Sequence, residues 1–191
     1  MDAKPGPYQP RLFGQSIQAS VDQAIQLRKR LREITIRDIR DIEAMARIDV
    51  ESRKILEGPS LIADAFIGEV FRSNGKSNAL DAAMDSLALE AERYLSRDED
   101  AGKGLQHATR KALSVDLSTG RPSRRPFHWP LEFPEVFARD NSGFDGIVGN
   151  PPFMYGKNIS GALGSSYSSY LRTSHPWSSK NADLCVHFFL R

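Results

Sequence analysis

The sequence predicts an α/β fold in which a mainly helical first two-thirds leads into one short strand that ends at a rigid turn. Apolar residues recur at helical spacing over residues 16–113. The apolar pair Ile147 and Val148 stands just before two consecutive prolines, which is typical of a buried strand entering a turn. The length of 191 residues, with 40% hydrophobic and 26% charged residues, suits one folded domain or a large piece of one.

The first elements follow from proline, glycine and capping residues. Residues 1–15 are rich in proline and glycine, and because proline removes a backbone donor and constrains its neighbour, they predict an extended arm. A helical region is predicted over residues 16–113. Within it, Thr35 followed by Asp38 predicts a helix start, and Gly58-Pro59 predicts a helix end.

The later part of the chain is richer in proline, glycine and serine. Residues 114–126 predict a basic, proline-rich connector, and its Arg124 and Arg125 are candidate contacts for the phosphates of an anionic partner. Arginines in a linker are more often simply solvated, so both interpretations stay open. Residues 156–169 contain 8 glycines and serines and predict a mobile loop. Asn181 is the expected cap of a last helix, which should bury Leu184 and Phe188.

Several classes of protein are excluded or disfavoured by what the sequence lacks. Its single cysteine, Cys185, rules out an intramolecular disulfide. No stretch approaches the ~18 apolar residues of a membrane helix, and the first residues do not resemble a signal peptide. We therefore expect a cytoplasmic protein without a membrane partner. The four histidines and the cysteine are not spaced as metal ligands, so no metal site is predicted.

One short motif, Asn150-Pro151-Pro152-Phe153, predicts a specific chemistry. Asparagine, two prolines and an aromatic residue in this order arise by chance on the order of once in a thousand chains of this length. An exocyclic amine such as adenine N6 is a poor nucleophile, because its lone pair is delocalised into the ring. The Asn150 amide oxygen and the Pro151 carbonyl can accept hydrogen bonds from that amine, while the prolines hold the carbonyl direction. Phe153 offers a flat face on which an extruded base can stack. The competing interpretation is a simple turn after a strand.

The motif and its flanks resemble the N6-adenine DNA methyltransferases of restriction-modification and phage-defence systems. The likeness extends over FHWPLEFPEVF (127–137), GFD (143–145), GKNISG (156–161), ADLC (182–185) and FFLR (188–191). It implies a Rossmann-like enzyme that uses S-adenosylmethionine to methylate a flipped adenine in double-stranded DNA. It also implies that residues 127–191 are part of the catalytic region, with Asn150, Pro151, Pro152 and Phe153 at the target base. Lys157, Arg124 and Arg125 are then the expected contacts to DNA.

The resemblance also exposes a missing element. Family members carry a glycine-rich loop after a strand, which binds the methionine part of the cofactor, and this sequence has no such pattern. No cofactor-binding residue is therefore assigned. We expect an internal or truncated fragment that is inactive alone and whose partners include the cofactor-binding and target-recognition portions of a parent enzyme.

Two other functional interpretations remain open at the sequence level. Methyltransferases that act on RNA adenine or on protein glutamine use similar Asn-Pro-Pro-aromatic turns. The second interpretation is that the chain is a helical interaction module or a non-catalytic remnant, and the missing glycine-rich loop keeps it open. The flanking motifs at 127–137 and 182–185 favour the DNA enzymes over both.

Overall fold

The computed structural model describes residues 11–73 and 77–190, and every regular element in these ranges is a helix. The elements are α1 (Arg11–Glu33), α2 (Ile39–Ser73), α3 (Ser77–Leu95), α4 (Glu99–Leu113), α5 (Trp129–Glu132), α6 (Pro134–Phe137), α7 (Gly156–Leu163), α8 (Ser165–Ser174) and α9 (Leu184–Phe189). Among these helices, none is both long and apolar enough to cross a membrane.

The predicted α/β fold, including its Rossmann-like form, is wrong for the described residues, which form an all-helical structure without strand or sheet. Residues 146–155 carry no regular element. Ile147 is 73% exposed and the side chain of Val148 is fully exposed. A strand is stable only when its backbone groups pair with a neighbouring strand, and the described chain offers none. An apolar run alone therefore misidentified the element.

Two predicted boundaries in the first part of the chain also differ from the structure. Helix α1 begins at Arg11 and occupies the end of the predicted arm, while residues 1–10 lie outside the described residues. Helix α2 continues through Pro59, where an end was predicted. A proline inside a helix costs about 3 kcal/mol. The burial of Leu56 and Ile62 on either side of Pro59 offsets that cost, because both side chains are almost fully enclosed.

Aspartates cap two of the long helices. Asp38 precedes α2, and its carboxylate accepts a hydrogen bond from the Arg40 N–H at 2.7 Å. Asp41 reaches back to accept from the Asp38 N–H at 3.2 Å, which completes a reciprocal cap. The helix is thus capped by Asp38 with Asp41 as its companion, and not by Thr35 with Asp38 as its companion, which was the prediction. Asp98 caps α4 in the same way through the Ala101 N–H at 3.0 Å.

The chain divides into two compact units. The first contains the described residues up to Ala63 together with Glu90–Gly102 and Phe127–Asp145. In this unit Arg28 of α1 donates to Ser52 at 3.1 Å and to the Glu132 carbonyl, and it lies 3.4 Å from the Glu135 carboxylate. These bonds hold α5 and α6 beside α1. The aromatic rings of the same segment pack edge to face and tilted: Phe127, Trp129, Phe133, Phe137 and Phe144.

The second unit contains the described residues of Asp64–Leu89, Lys103–Pro126 and the chain from Gly146 onward. Its core includes Phe71, Leu105, Leu113 and Ile159, all buried. Helices α2 and α4 approach closely inside it, because a Cβ added to Gly68 would lie 2.8 Å from the Ala112 Cβ. This unit contains the whole Asn150–Phe153 motif and the elements that follow it.

The glycine- and serine-rich stretch predicted to be a mobile loop instead forms α7 and α8. The two helices meet at Gly164, whose φ of +94° lies in the region that favours glycine. Asp116 then caps α8, with its Oδ2 accepting hydrogen bonds from the Ser166 N–H at 2.5 Å and the Ser165 hydroxyl at 2.7 Å. Composition predicted a loop here because it does not register a cap supplied by a residue fifty positions away.

Candidate functional site

The motif Asn150-Pro151-Pro152-Phe153 lies in an extended, irregular segment. Asn150 and Pro152 are exposed, Pro151 is partly buried, and Phe153 is 75% exposed. Across the described part of the chain, none of these four residues takes part in a hydrogen bond. Within the described residues, the amide oxygen of Asn150 and the Pro151 carbonyl therefore accept no hydrogen bond, and most of the Phe153 ring is exposed.

The next residue, Met154, is tied to the start of α9. Its N–H donates to Asp183 Oδ1 at 3.0 Å, and its carbonyl accepts from the Leu184 N–H at 2.9 Å. The same Asp183 oxygen accepts from the Cys185 N–H at 3.0 Å and so caps α9. The N–H groups of Cys185 and then Met154 hold the pKa of Asp183 below its ordinary value. The predicted cap of this helix was Asn181, two residues too early.

Gly156 makes the approach of these two segments possible. A Cβ at this position would lie 2.6 Å from the Ala182 carbonyl oxygen and 2.6 Å from the Asn181 carbonyl carbon. Both of these are backbone atoms, which cannot swing aside as a long side chain can. Glycine is therefore required where the chain after the motif passes residues 181 and 182.

An apolar cluster packs against the junction, by which we mean the contact between Met154 and the start of α9. Ile159 of α7, Leu171 of α8 and Leu184 of α9 are buried together, with Met154 and Leu163 packed against them. The prediction that α9 buries Leu184 is correct. The prediction that it also buries Phe188 is wrong, because that ring is 56% exposed and the buried residue on the next turn is His187.

Arg124, a predicted DNA contact, is engaged within the protein. Its guanidinium donates to Asp116 at 2.7 Å and to the carbonyls of Val115 at 2.8 Å and Leu163 at 2.7 Å, and it lies 4.8 Å above the Phe71 ring. Burial raises the pKa of Asp116, but hydrogen bonds from Ser166, Arg124 and Ser165 outweigh it and leave the pKa well below its ordinary value. Arg124 thus joins the connector to the junction of α7 and α8.

The other basic residues predicted near DNA differ in their surroundings. Lys157, in the first turn of α7, is exposed, and so is Arg125. Arg121 donates to the Ala162 carbonyl at the end of the same helix. The structure therefore leaves Lys157 and Arg125 on the surface, while Arg121 and Arg124 hold the connector to its neighbours.

Two histidines that sequence spacing left unassigned come together. Their Nδ1 atoms, in His175 after α8 and His187 in α9, lie 3.0 Å apart, so one ring donates and the other accepts. Burial, and then the charge of His175, lowers the pKa of His187. No group of three potential metal ligands was found in the described ranges.

The sequence assigned no individual role to Asp183, Gly156 or Asp116, although the first two lie in the stretches 182–185 and 156–161 that carry the family resemblance. Asp183 also stands just before an apolar helical pattern, which is where a capping carboxylate is expected. Its bond to Met154 spans 29 positions and has no sequence signature.

Comparison with known protein families decides the wider relationship. The family described as Eco57I restriction-modification methylase matches residues 69–191, which is more than half of the chain and includes the whole site. The chain belongs to this family. The Eco57I methylase family comprises restriction-modification enzymes, so the resemblance that the motif predicted is confirmed at the level of the family. Neither a search of curated proteins nor one of solved structures found a match.

Proposed function

We propose that this chain supplies the target-base site of a DNA methyltransferase that modifies adenine at N6. The observation that carries the proposal is an exposed Asn-Pro-Pro-Phe segment whose following residue is tied to a buried helical cluster. Membership of the Eco57I restriction-modification methylases supports a methyltransferase and DNA as its substrate. This membership also favours DNA over RNA and protein glutamine as the acceptor.

The proposed chemistry places two acceptors at the adenine amine. The Asn150 amide oxygen and the Pro151 carbonyl accept the two N6 hydrogens, which draws the nitrogen lone pair out of the ring and toward a tetrahedral form. Because these acceptors are set before the reaction, their effect is greatest when positive charge develops on the nitrogen. The locked φ angles of Pro151 and Pro152 reduce the entropy lost when the acceptors meet the base.

Phe153 is the proposed platform for the extruded base. Its ring is 75% exposed although it is wholly apolar, so stacking a base on it removes apolar surface from water. Stacking is largely independent of base identity, and the hydrogen bonds to N6 supply the discrimination for adenine. Lys157 and Arg125 are the proposed phosphate contacts, because both are exposed.

S-adenosylmethionine is the methyl donor in the proposed reaction. The residues of this chain do not fit the cofactor, since no glycine-rich loop follows an apolar strand in the sequence. We therefore assign no residue to the cofactor. The chain's own contribution is to hold the amine and the base, and the proposal places cofactor binding in another portion of the parent enzyme.

The proposal is tested by base capture, which needs no cofactor. The dissociation constant of the 191-residue chain is measured for a fluorescent duplex containing adenine opposite an abasic site and for the same duplex fully paired. Extrusion of a paired base costs a few kcal/mol, so we expect about tenfold or more tighter binding of the unpaired adenine. Replacing that adenine by thymine should reduce the preference. Equal affinity for all three duplexes would contradict the proposal and leave a non-catalytic helical module as the better interpretation.

A further inference from the structure

The junction between Met154 and α9 carries a second inference, which rests on the proposed function. We propose that Asp183 is a positioning residue that sets the orientation of the Asn150–Phe153 segment through the backbone of Met154. Asp183 does not touch the base in this proposal. Its role is to hold the end of the segment from which the acceptors and the ring project.

The geometry of the junction is a two-point attachment. Asp183 Oδ1 accepts a hydrogen bond from the Met154 N–H at 3.0 Å, and the Met154 carbonyl accepts one from the Leu184 N–H at 2.9 Å. Two bonds on opposite sides of one residue restrict rotation as well as position. The close backbone approach at Gly156 adds a third restriction two residues further along.

The attachment reaches the motif through a short and stiff stretch of chain. The Met154 N–H belongs to the planar peptide whose carbonyl is that of Phe153, so fixing it also fixes that peptide plane. Pro151 and Pro152 have locked φ angles, which leaves few free torsions between Met154 and Asn150. The hydrogen bond at Met154 therefore restricts the orientation of the Phe153 ring and of the Pro151 carbonyl.

The absence of other ties makes this attachment decisive for the motif. Within the described chain, Asn150 to Phe153 form no hydrogen bonds of their own, and Met154 is the first residue after them that is held. Without Asp183, Met154 keeps its carbonyl bond to Leu184 and its apolar packing, but its N–H and the peptide that joins it to Phe153 lose their hydrogen bond. We therefore expect its loss to weaken base capture much more than it weakens the fold.

The test separates positioning from helix capping. In Asp183→Ser, serine keeps a capping oxygen for the Cys185 N–H but is one atom too short to hold both N–H groups as Asp183 does. The matched control is Asp98→Ser, which alters the aspartate cap of α4 through the same chemistry. Asp183→Asn keeps an oxygen at the Oδ1 position and is the conservative rescue.

Two readouts are measured on the full chain: the ratio of affinities for unpaired and paired adenine duplexes, and the hydrogen-exchange rate of the Met154 amide. Loss of a hydrogen bond to a charged acceptor changes an equilibrium constant by about tenfold or more. Asp183→Ser should therefore lower the affinity ratio and speed the exchange of the Met154 amide by that factor. Asp98→Ser should change neither, and Asp183→Asn should restore both. Gly156→Ala, which forces apart the same backbones, should reproduce the loss of capture.

The possible failures are distinguishable. If the wild-type chain shows no preference for unpaired adenine while its Met154 amide is protected by Asp183, the proposed function fails and the capture role of Asp183 falls with it. If the wild type shows the preference and Asp183→Ser keeps it despite fast Met154 exchange, the positioning role alone is overturned. A loss of preference in Asp183→Asn equal to that in Asp183→Ser would also overturn it, because charge and not placement would then be responsible.

Discussion

At the scale of single residues, the proposed site uses an aromatic ring and a side-chain amide that the fold leaves exposed. The exposed fraction of Phe153, 75%, is nearly the same as that of Trp177 at 76%. Only Phe153 adjoins the proline pair, so exposure alone does not select the base platform.

For Phe153→Ala we expect a loss of base capture of ~1–3 kcal/mol, since the stacking surface is removed. Phe153→Trp should retain most of the capture because it keeps a flat face. The measurement is the affinity for the unpaired adenine duplex, with Trp177→Ala as the control of matched exposure. An equal loss in Trp177→Ala would show that exposed aromatic surface in general, and not this position, binds the base.

Asn150→Ala should act on the rate of methylation more than on capture. In the proposed assembly of this chain with a cofactor-binding portion, removal of one acceptor should slow single-turnover methyl transfer by ~10²–10³. An unpaired target adenine should rescue Phe153→Ala more than Asn150→Ala, because unpairing lowers only the cost of extrusion. An unchanged rate per folded molecule in Asn150→Ala would identify the motif as a turn without a catalytic role.

At the scale of elements, Arg124 and Asp116 join the connector after α4 to α7 and α8. Arg124→Ala removes a largely buried cation and leaves Asp116 partly enclosed, so we expect a loss of about 2–3 kcal/mol in the free energy of unfolding. Arg53→Ala, which breaks an exposed pair with Asp49 in α2, should cost at most about 0.5 kcal/mol. Urea unfolding of both variants checks the difference. Similar losses would mean that the Arg124 network contributes no more than a surface pair.

The histidine pair between α8 and α9 predicts a pH dependence of stability. The folded chain lowers the pKa of His187 below 6.5, so the unfolded chain takes up the proton first as the pH falls. The contribution of neutral His187 to the free energy of unfolding is fully present above pH 6.5 and is lost as the pH drops below that value. The carboxylates of Asp116 and Asp183 have pKa values lowered from 3.8, so their contributions are lost only in a more acidic range.

Urea midpoints measured at pH 7.5 and pH 5.5 test this prediction. We expect the wild type to lose stability between the two values and His187→Gln to lose less. His107→Gln, in α4, is the control histidine and should behave as the wild type does. A wild-type midpoint that does not fall with pH would contradict the assignment.

At the scale of the whole molecule, the family match and the missing glycine-rich motif lead to a prediction about the cofactor. The match at residues 69–191 includes the proposed target-base site, but the sequence contains no glycine-rich cofactor loop. Calorimetric titration of the 191-residue chain with S-adenosylmethionine should therefore show no micromolar binding. Micromolar affinity would mean that other residues of the chain form the cofactor site.

The helices of the first part of the chain and the family of the protein were accessible from sequence. Apolar spacing predicted the helical region over 16–113, and the Asn150–Phe153 motif together with its flanking stretches indicated the family that the comparison then confirmed. Both signals are local, because helix periodicity and a four-residue motif need no distant partner. The strand before Asn150 failed as a prediction because a strand is defined by its neighbour in a sheet and not by its own residues.

What the sequence determined by itself is the set of residues and their chemical types: an amide, two prolines and an aromatic ring in a restriction-modification methylase. Only the tertiary structure decided which of these side chains are bound within the protein and which remain exposed. Arg124 is drawn into the protein by Asp116 and the Leu163 carbonyl, and Asp183 is brought to Met154 across 29 positions. The physical reason is that the availability of a donor or acceptor depends on long-range contacts, which local patterns in a sequence do not encode.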